Sequence, residues 1–182
     1  MKGNLILIHG GGPTAVINAS LAGAIRQAQK EPNVDRILAA IGGTGGLMQG
    51  HVRDLTDISE AELAMLERTP GSAIGTSRDA LEEEDYRLLA QKCVEYGAKV
   101  VLMNGGNGTM DACGKLCRAL AGTDILVMGI PKTMDNDIAV TDHAPGFGSA
   151  ARYIAQSVAE VTADVHGLPI HVVVIEASGR NA

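Results

Sequence analysis

Aromatic side chains are nearly missing from this chain: one Phe, three Tyr and no Trp in 182 residues. Its core must therefore be aliphatic, and a pocket for a nucleobase would be short of stacking partners. Positive charge is in deficit too. Fifteen Lys and Arg face 21 Asp and Glu, a net charge of −6 that argues against binding nucleic acid or a membrane surface. No run approaches the ~20 apolar residues of a membrane helix. The opening MKGNLILIHGGG runs into Gly and Pro at once, without a signal peptide's longer apolar region and cleavage site. Cysteine is sparse: Cys93, Cys113 and Cys117 show no disulfide-framework spacing, so a reducing cytoplasm is expected. Cys113 and Cys117 lie one helical turn apart, but with no His or third Cys nearby they read as small helix residues, not metal ligands. The five His are scattered and read as structural.

What is abundant is glycine, 23 of 182 residues against a usual ~7%. The length fits one domain, and 46% hydrophobic with 20% charged residues fits a folded chain. Short apolar runs predict strands over 4–9, 34–41, 99–103, 125–130 and 171–175. Helical spacing predicts helices over 14–30, 57–67, 81–96, 110–121 and 148–166, with Ser59 and Glu62 set as a capping box. Ile154, Val158, Val161 and Val165 form one stripe of the last helix. The stretches 42–46 and 70–78 read as loops. Alternating strands and helices predict an α/β fold, a Rossmann-like, mostly parallel sheet with helices on both faces.

The glycines and polar residues gather after strands, at the carboxyl edge where open α/β sheets bind ligands. Four clusters are expected to converge there: 10–13, 105–109, 132–137 and 176–180, with 75–78 joining them. Gly10-Gly11-Gly12 lets backbone N–H groups approach an anion at a helix start, although it is equally a tight turn. Gly105-Gly106-Asn107-Gly108-Thr109 repeats the device, with Asn107 or Thr109 also able to cap the helix. In Lys132-Thr133-Met134-Asp135-Asn136-Asp137, an extended chain would turn both carboxylates to one side. Asp135 then suits proton abstraction from an alcohol, Asp137 a second hydroxyl, and Lys132 a phosphoryl group. Taken alone the hexapeptide is an Asx-rich turn, and the neighbouring glycine cradles are what favour chemistry. Arg180 and Arg78 each suit a bidentate grip on phosphate, or plain solvation.

These clusters, in this order and over nearly the whole chain, resemble the phosphofructokinase family. GGGPTAVINASLAG is similar to its first glycine loop and helix, TPGSAIGTSR to its phosphate-contacting segment, and GGNGTMD to its donor and magnesium loop. PKTMDND is similar to its catalytic loop, TDHAPGFGSAARY to the following helix entry, and EASGRNA to the start of its sugar-phosphate loop.

The resemblance implies transfer of a phosphoryl group to the C1 hydroxyl of fructose 6-phosphate in glycolysis. It implies Asp135 as general base, with Thr133 and Lys132 beside it in the catalytic loop. Donor phosphates would meet Gly11, Gly12, Arg78, Gly106, Asn107, Gly108 and Thr109. Thr133, Asp135, Asp137, Ser178, Gly179 and Arg180 would meet the sugar phosphate, and Asn107 stands at the Mg2+ position. Lys132 and the first glycine loop resemble the pyrophosphate-dependent branch, as aromatic scarcity also suggests, whereas Gly108 resembles ATP users. Pyrophosphate is the expected donor; an ATP-dependent enzyme and a non-catalytic phosphate-binding module of the same fold are the alternatives. Asn107, His171 and Ser178 depart from the Asp, Arg and Met common at those positions. The family is longer, so 1–182 is expected to be an N-terminal donor-binding portion lacking its second half and inactive alone. The resemblance further implies a homo-oligomer.

Overall fold

The computed structural model describes residues 2–177. The chain divides into two compact units, 1–132 and 133–182.

The first unit opens with β1 (Gly3–His9), whose Leu5, Ile6, Leu7 and Ile8 are all buried. A strand covered on both faces has no reason to alternate polar and apolar residues, which is why this run is continuously apolar. The glycine turn and Pro13 end it, and α1 (Ala15–Ala28) follows. Next come β2 (Val34–Ala40), α2 (Gly43–Met48), β3 (Val52–Asp54), α3 (Glu60–Leu66), α4 (Glu83–Glu95), β4 (Ala98–Gly105), α5 (Asn107–Ala119) and β5 (Leu126–Pro131).

The strands form one sheet in the order β3-β2-β1-β4-β5. β1 is parallel to β2 and β4, β4 is parallel to β5, and β3 runs antiparallel to β2. The pleat sends Leu5 and Leu7 to one face, where they join Leu21 and Ile25 of α1 and Leu63 of α3. Ile6 and Ile8 face the other way, into a cluster with Leu47 of α2, Leu89 and Cys93 of α4, and Leu116 of α5. Helices thus cover both faces, as the alternating pattern requires.

Helix starts follow local chemistry. The Ser59 hydroxyl accepts from the Glu62 N–H, and the Glu62 carboxylate accepts from the Ser59 N–H at 2.9 Å, so α3 begins at Glu60 rather than at 57. α5 begins three residues before the predicted 110, with Gly106 as its N-cap.

Two elements escape the sequence pattern, α2 and β3, both in and after the glycine run read as a loop. α2 forms despite its weak propensity, with Gly43, Thr44, Gly46 and Leu47 buried. A Cβ on Gly46 would overlap the Ile41 carbonyl, and one on Gly43 (φ +72°) would meet Ser77 and the His9 carbonyl. The strand expected over 171–175 is a correction in the other direction. No described strand pairs with it, and Val172 and Val174 are 79% and 87% exposed. A β-branched run is competent for a strand, but the ladder needs a neighbour to complete its hydrogen bonds.

The second unit contains α6 (Phe147–Gly167), opened by Gly146 at φ 94°. Its expected stripe is present, with Ile154, Val161 and Val165 half-buried and Val158 40% exposed, but none of its residues is fully buried.

Ile6 is fully buried at the centre of β1, so Ile6→Ala is expected to cost about 2–5 kcal/mol in urea unfolding. Met65→Ala, at a residue 62% exposed, is expected to stay within about 0.5 kcal/mol of the parent.

Candidate functional site

The strand order reverses between β1 and β4, so the connections leaving these neighbours go to opposite sides of the sheet: α1 packs with the first face, α5 with the second. Open α/β sheets form their binding crevice where the order reverses. Here the crevice is lined by two glycine turns that touch. The Gly10 N–H donates to the Asn104 carbonyl at 2.9 Å. A Cβ on Gly105 would collide with the Gly10 carbonyl and the Thr109 hydroxyl, and one on Gly10 would press on the Thr109 side chain. Glycine at these two positions is a requirement of close approach. Thr109 is buried in this contact and does not cap α5. Neither Gly106 nor Thr14, the N-caps of α5 and α1, makes a side-chain cap bond. Two helix N-termini with their partial positive charge therefore open at one edge of the sheet.

Positive side chains stand beside them. Lys132 is 7% exposed. Its backbone N–H donates to the Gly105 carbonyl at 2.8 Å, and its ammonium donates to the Gly12 carbonyl at 2.7 Å. One residue thereby ties both turns together. The Arg78 guanidinium lies 3.2 Å from where a Cβ on Gly12 would stand, so any larger residue there would press on it. The segment bearing Arg78 is attached to the first turn: the Gly11 N–H donates to the Ser77 carbonyl at 2.9 Å, and the Thr76 hydroxyl to the Gly11 carbonyl at 2.8 Å. Gly11 itself has φ +77°, the left-handed region that favours glycine.

His9 ends β1 directly beneath this turn and is 1% exposed. The Ser72 hydroxyl donates to the Gly75 carbonyl, so its oxygen accepts at 2.8 Å from His9 Nδ1, which therefore carries the proton. Burial, and then the charge of Lys132, push the His9 pKa down from 6.5 to about 4. The ring is neutral at pH 7.

The second unit holds Thr133, Asp135 and Asp137, all half-buried. The segment is not extended: Asn136 has φ 50°, which breaks the alternation that would have turned both carboxylates to one side. Thr133 accepts the Asp135 N–H on its hydroxyl at 3.2 Å. Asn136 fastens the loop by accepting the Ala144 N–H at 2.7 Å. Among the predicted site residues, the structure thus brings together Gly11, Gly12, Arg78, Gly106, Thr109 and Lys132 in the first unit. Asn107 is half-buried and Gly108 exposed, one at the first helical position of α5 and one just after it. Ser178, Gly179 and Arg180 lie outside the described residues, and Glu176 just before them is exposed. Sequence reading missed His9, Asn136 and Asp79. A His at a strand end, and Asn between two Asp where a left-handed residue is needed, were the available signals for the first two.

Among the described residues no three His, Cys, Asp or Glu come together as a metal cluster, and no helix is long and apolar enough to cross a membrane.

A mostly parallel sheet whose two glycine turns meet at the reversal of strand order belongs to the doubly wound α/β class, whose members bind their ligands at the carboxyl edge. Within that class the assignment is specific: residues 4–182 match the Phosphofructokinase family model, and the chain belongs to the phosphofructokinase family. It is 40% identical, over all of its length, to a pyrophosphate–fructose 6-phosphate 1-phosphotransferase of Xanthomonas campestris pv. campestris, of which it covers 45%. It is 37% identical over 92% of its length to the protein of the same name from Rhodospirillum rubrum, covering 42% of it. The crystal structure of a pyrophosphate-dependent phosphofructokinase from Nitrosospira multiformis superposes with a TM-score of 0.79 at 36% identity, over 90% of this chain and 42% of that one. The chain thus spans less than half the length of these relatives.

His9 binds fewer protons folded than unfolded, so its contribution to stability is complete above pH 6.5 and is lost as pH falls from there toward 4. Lowering pH from 7.5 to 5 is expected to remove about 2 kcal/mol in urea unfolding. His9→Gln is expected to flatten the profile over that interval.

Proposed function

We propose that this chain is the N-terminal, donor-binding portion of an enzyme that transfers a phosphoryl group from pyrophosphate to the C1 hydroxyl of fructose 6-phosphate. The observation that carries the reading is Lys132, a buried cation bonded to both glycine turns. The names of the relatives point to the same reaction and donor, and their greater length supports a second half that completes the sugar-phosphate pocket.

Phosphoryl transfer asks a protein chiefly for position and charge neutralisation. In the proposed reaction, backbone amides of Gly12, Gly106, Gly108 and Thr109 face the pyrophosphate oxygens, Gly11 gives the first turn its left-handed bend with its own N–H held by Ser77, and Arg78 grips the donor bidentately. Lys132 neutralises charge on the transferring group. Asp135 takes the proton of the C1 hydroxyl while that oxygen attacks phosphorus, and the P–O bond to the departing orthophosphate breaks. Thr133 steadies Asp135 through its backbone N–H, and Asp137, Ser178, Gly179 and Arg180 meet the sugar phosphate. Magnesium fits here only as a companion of the pyrophosphate oxygens. Asn107 offers one neutral amide oxygen at the positive end of α5, and Mg2+ prefers carboxylates, phosphates and water. Self-association and a cytoplasmic setting belong to the same proposal.

ATP as donor is the reading that Gly108 favours. This residue is exposed, and a Cβ there would meet no atom within 4 Å, so a larger group has room beside it.

The test is formation of fructose 1,6-bisphosphate from fructose 6-phosphate and magnesium, with pyrophosphate or ATP, in the full-length protein. Product from pyrophosphate is expected; product with neither donor would leave a phosphate-binding module. Asp135→Ala is expected to lower kcat about 10²–10⁴-fold, and near-parent activity would remove it as the base. Gly108→Asp is expected to spare pyrophosphate use and to abolish any use of ATP.

A further inference from the structure

Segment 72–79 has no strand ladder of its own apart from one isolated bridge between Gly10 and Ser77, so its place depends on individual bonds. On one side it is attached to the first glycine turn through Gly11, as described above. On the other it is attached to the start of α2. The Asp79 carboxylate accepts from the Thr44 hydroxyl at 2.7 Å and from the Gly45 N–H at 2.7 Å. The Ser77 hydroxyl accepts from the Thr44 N–H at 3.2 Å and lies 3.1 Å from the Thr44 hydroxyl. Thr44 is 7% exposed, so the α2 end of this anchor is buried, while Asp79 and Arg78 are themselves exposed. Arg78 sits between the two attachments, next in sequence to both Ser77 and Asp79.

We propose that Asp79 is a positioning residue: by fixing one end of the segment to Thr44 and Gly45, it holds Arg78 against the Gly12 turn. The proposal rests on the donor reading above in one respect, that Arg78 meets the donor phosphates. A carboxylate beside a polyanion site would ordinarily repel the ligand. Here both accepted bonds point its charge into α2. Burial alone would raise the Asp79 pKa, but the hydrogen bonding around the carboxylate, from Thr44 first, holds it below the usual carboxylate value. Asp79 therefore stays ionised at neutral pH, when charge-assisted bonds are strongest.

Both bonds fall on the same oxygen, Oδ2. An amide oxygen in that place accepts both, and a methyl group accepts neither. This gives a substitution pair that separates anchoring from charge.

The experiment measures inorganic pyrophosphate binding by calorimetry and backbone amide exchange in the same proteins. Asp79→Ala is expected to weaken pyrophosphate binding about tenfold, the scale of a lost charge-assisted bond, and to speed exchange of the Gly11 amide. Asp79→Asn is expected to restore binding to within about twofold and to restore Gly11 protection. Arg78→Ala is the positive control and is expected to lose binding. Parent-like binding by Asp79→Ala, with Arg78→Ala impaired, overturns the proposal, as does Asp79→Asn as weak as Asp79→Ala. If the parent protein binds no pyrophosphate, the donor reading fails, and the exchange data decide separately: unchanged Gly11 protection in Asp79→Ala overturns the positioning role, and faster exchange supports it.

Discussion

The carboxyl ends of β1 and β4 approach until Gly10, Gly105 and Thr109 are in contact, and the rest of the edge depends on that distance. With a side chain at either glycine, the turns would be forced apart. Lys132 could not then place its N–H on Gly105 and its ammonium on Gly12 together. The N-termini of α1 and α5 are brought to the same edge by the same contact. Close packing of backbone against backbone is what lets several weak partial charges act on one place.

Burial sets the electrical character of this edge. An ammonium nearly sealed from water is costly unless its protons find acceptors, and Lys132 finds a carbonyl of the turn it serves. The same burial keeps His9 neutral, so Lys132 is not opposed by a second cation nearby in space. In a water-poor setting a fixed positive charge interacts more strongly with an anion than it would at the surface. The cost of holding it there is a reason for the many hydrogen bonds that surround the turn.

Much of this was legible in order along the chain. The continuous apolar run of β1, the Ser59–Glu62 cap of α3 and the acid-led start of α4 are local effects, decided by residues within a few positions of one another. The glycine turns announced themselves by composition, and Lys132 by its place after a strand. Other features were hidden because their cause lies outside the segment itself. The glycines of α2 are required because Ile41, Ser77 and His9 leave no room for side chains on them. Residues 171–175 carry every strand signal, yet a strand exists only where a neighbour completes its ladder. Asp135 and Asp137 looked like an alternating pair until Asn136, tied to Ala144, turned the backbone between them.

By itself, then, the order of residues determined the α/β layering, the Ser59–Glu62 cap of α3 and the motif set that marks the phosphofructokinase family, because periodicity and capping act over a turn or two of chain. The tertiary structure alone decided which glycines are obligatory, which turns touch, where Asp79 anchors and how far the His9 pKa falls. Those outcomes are set by distances between segments 30 to 120 residues apart, and no local rule contains such distances.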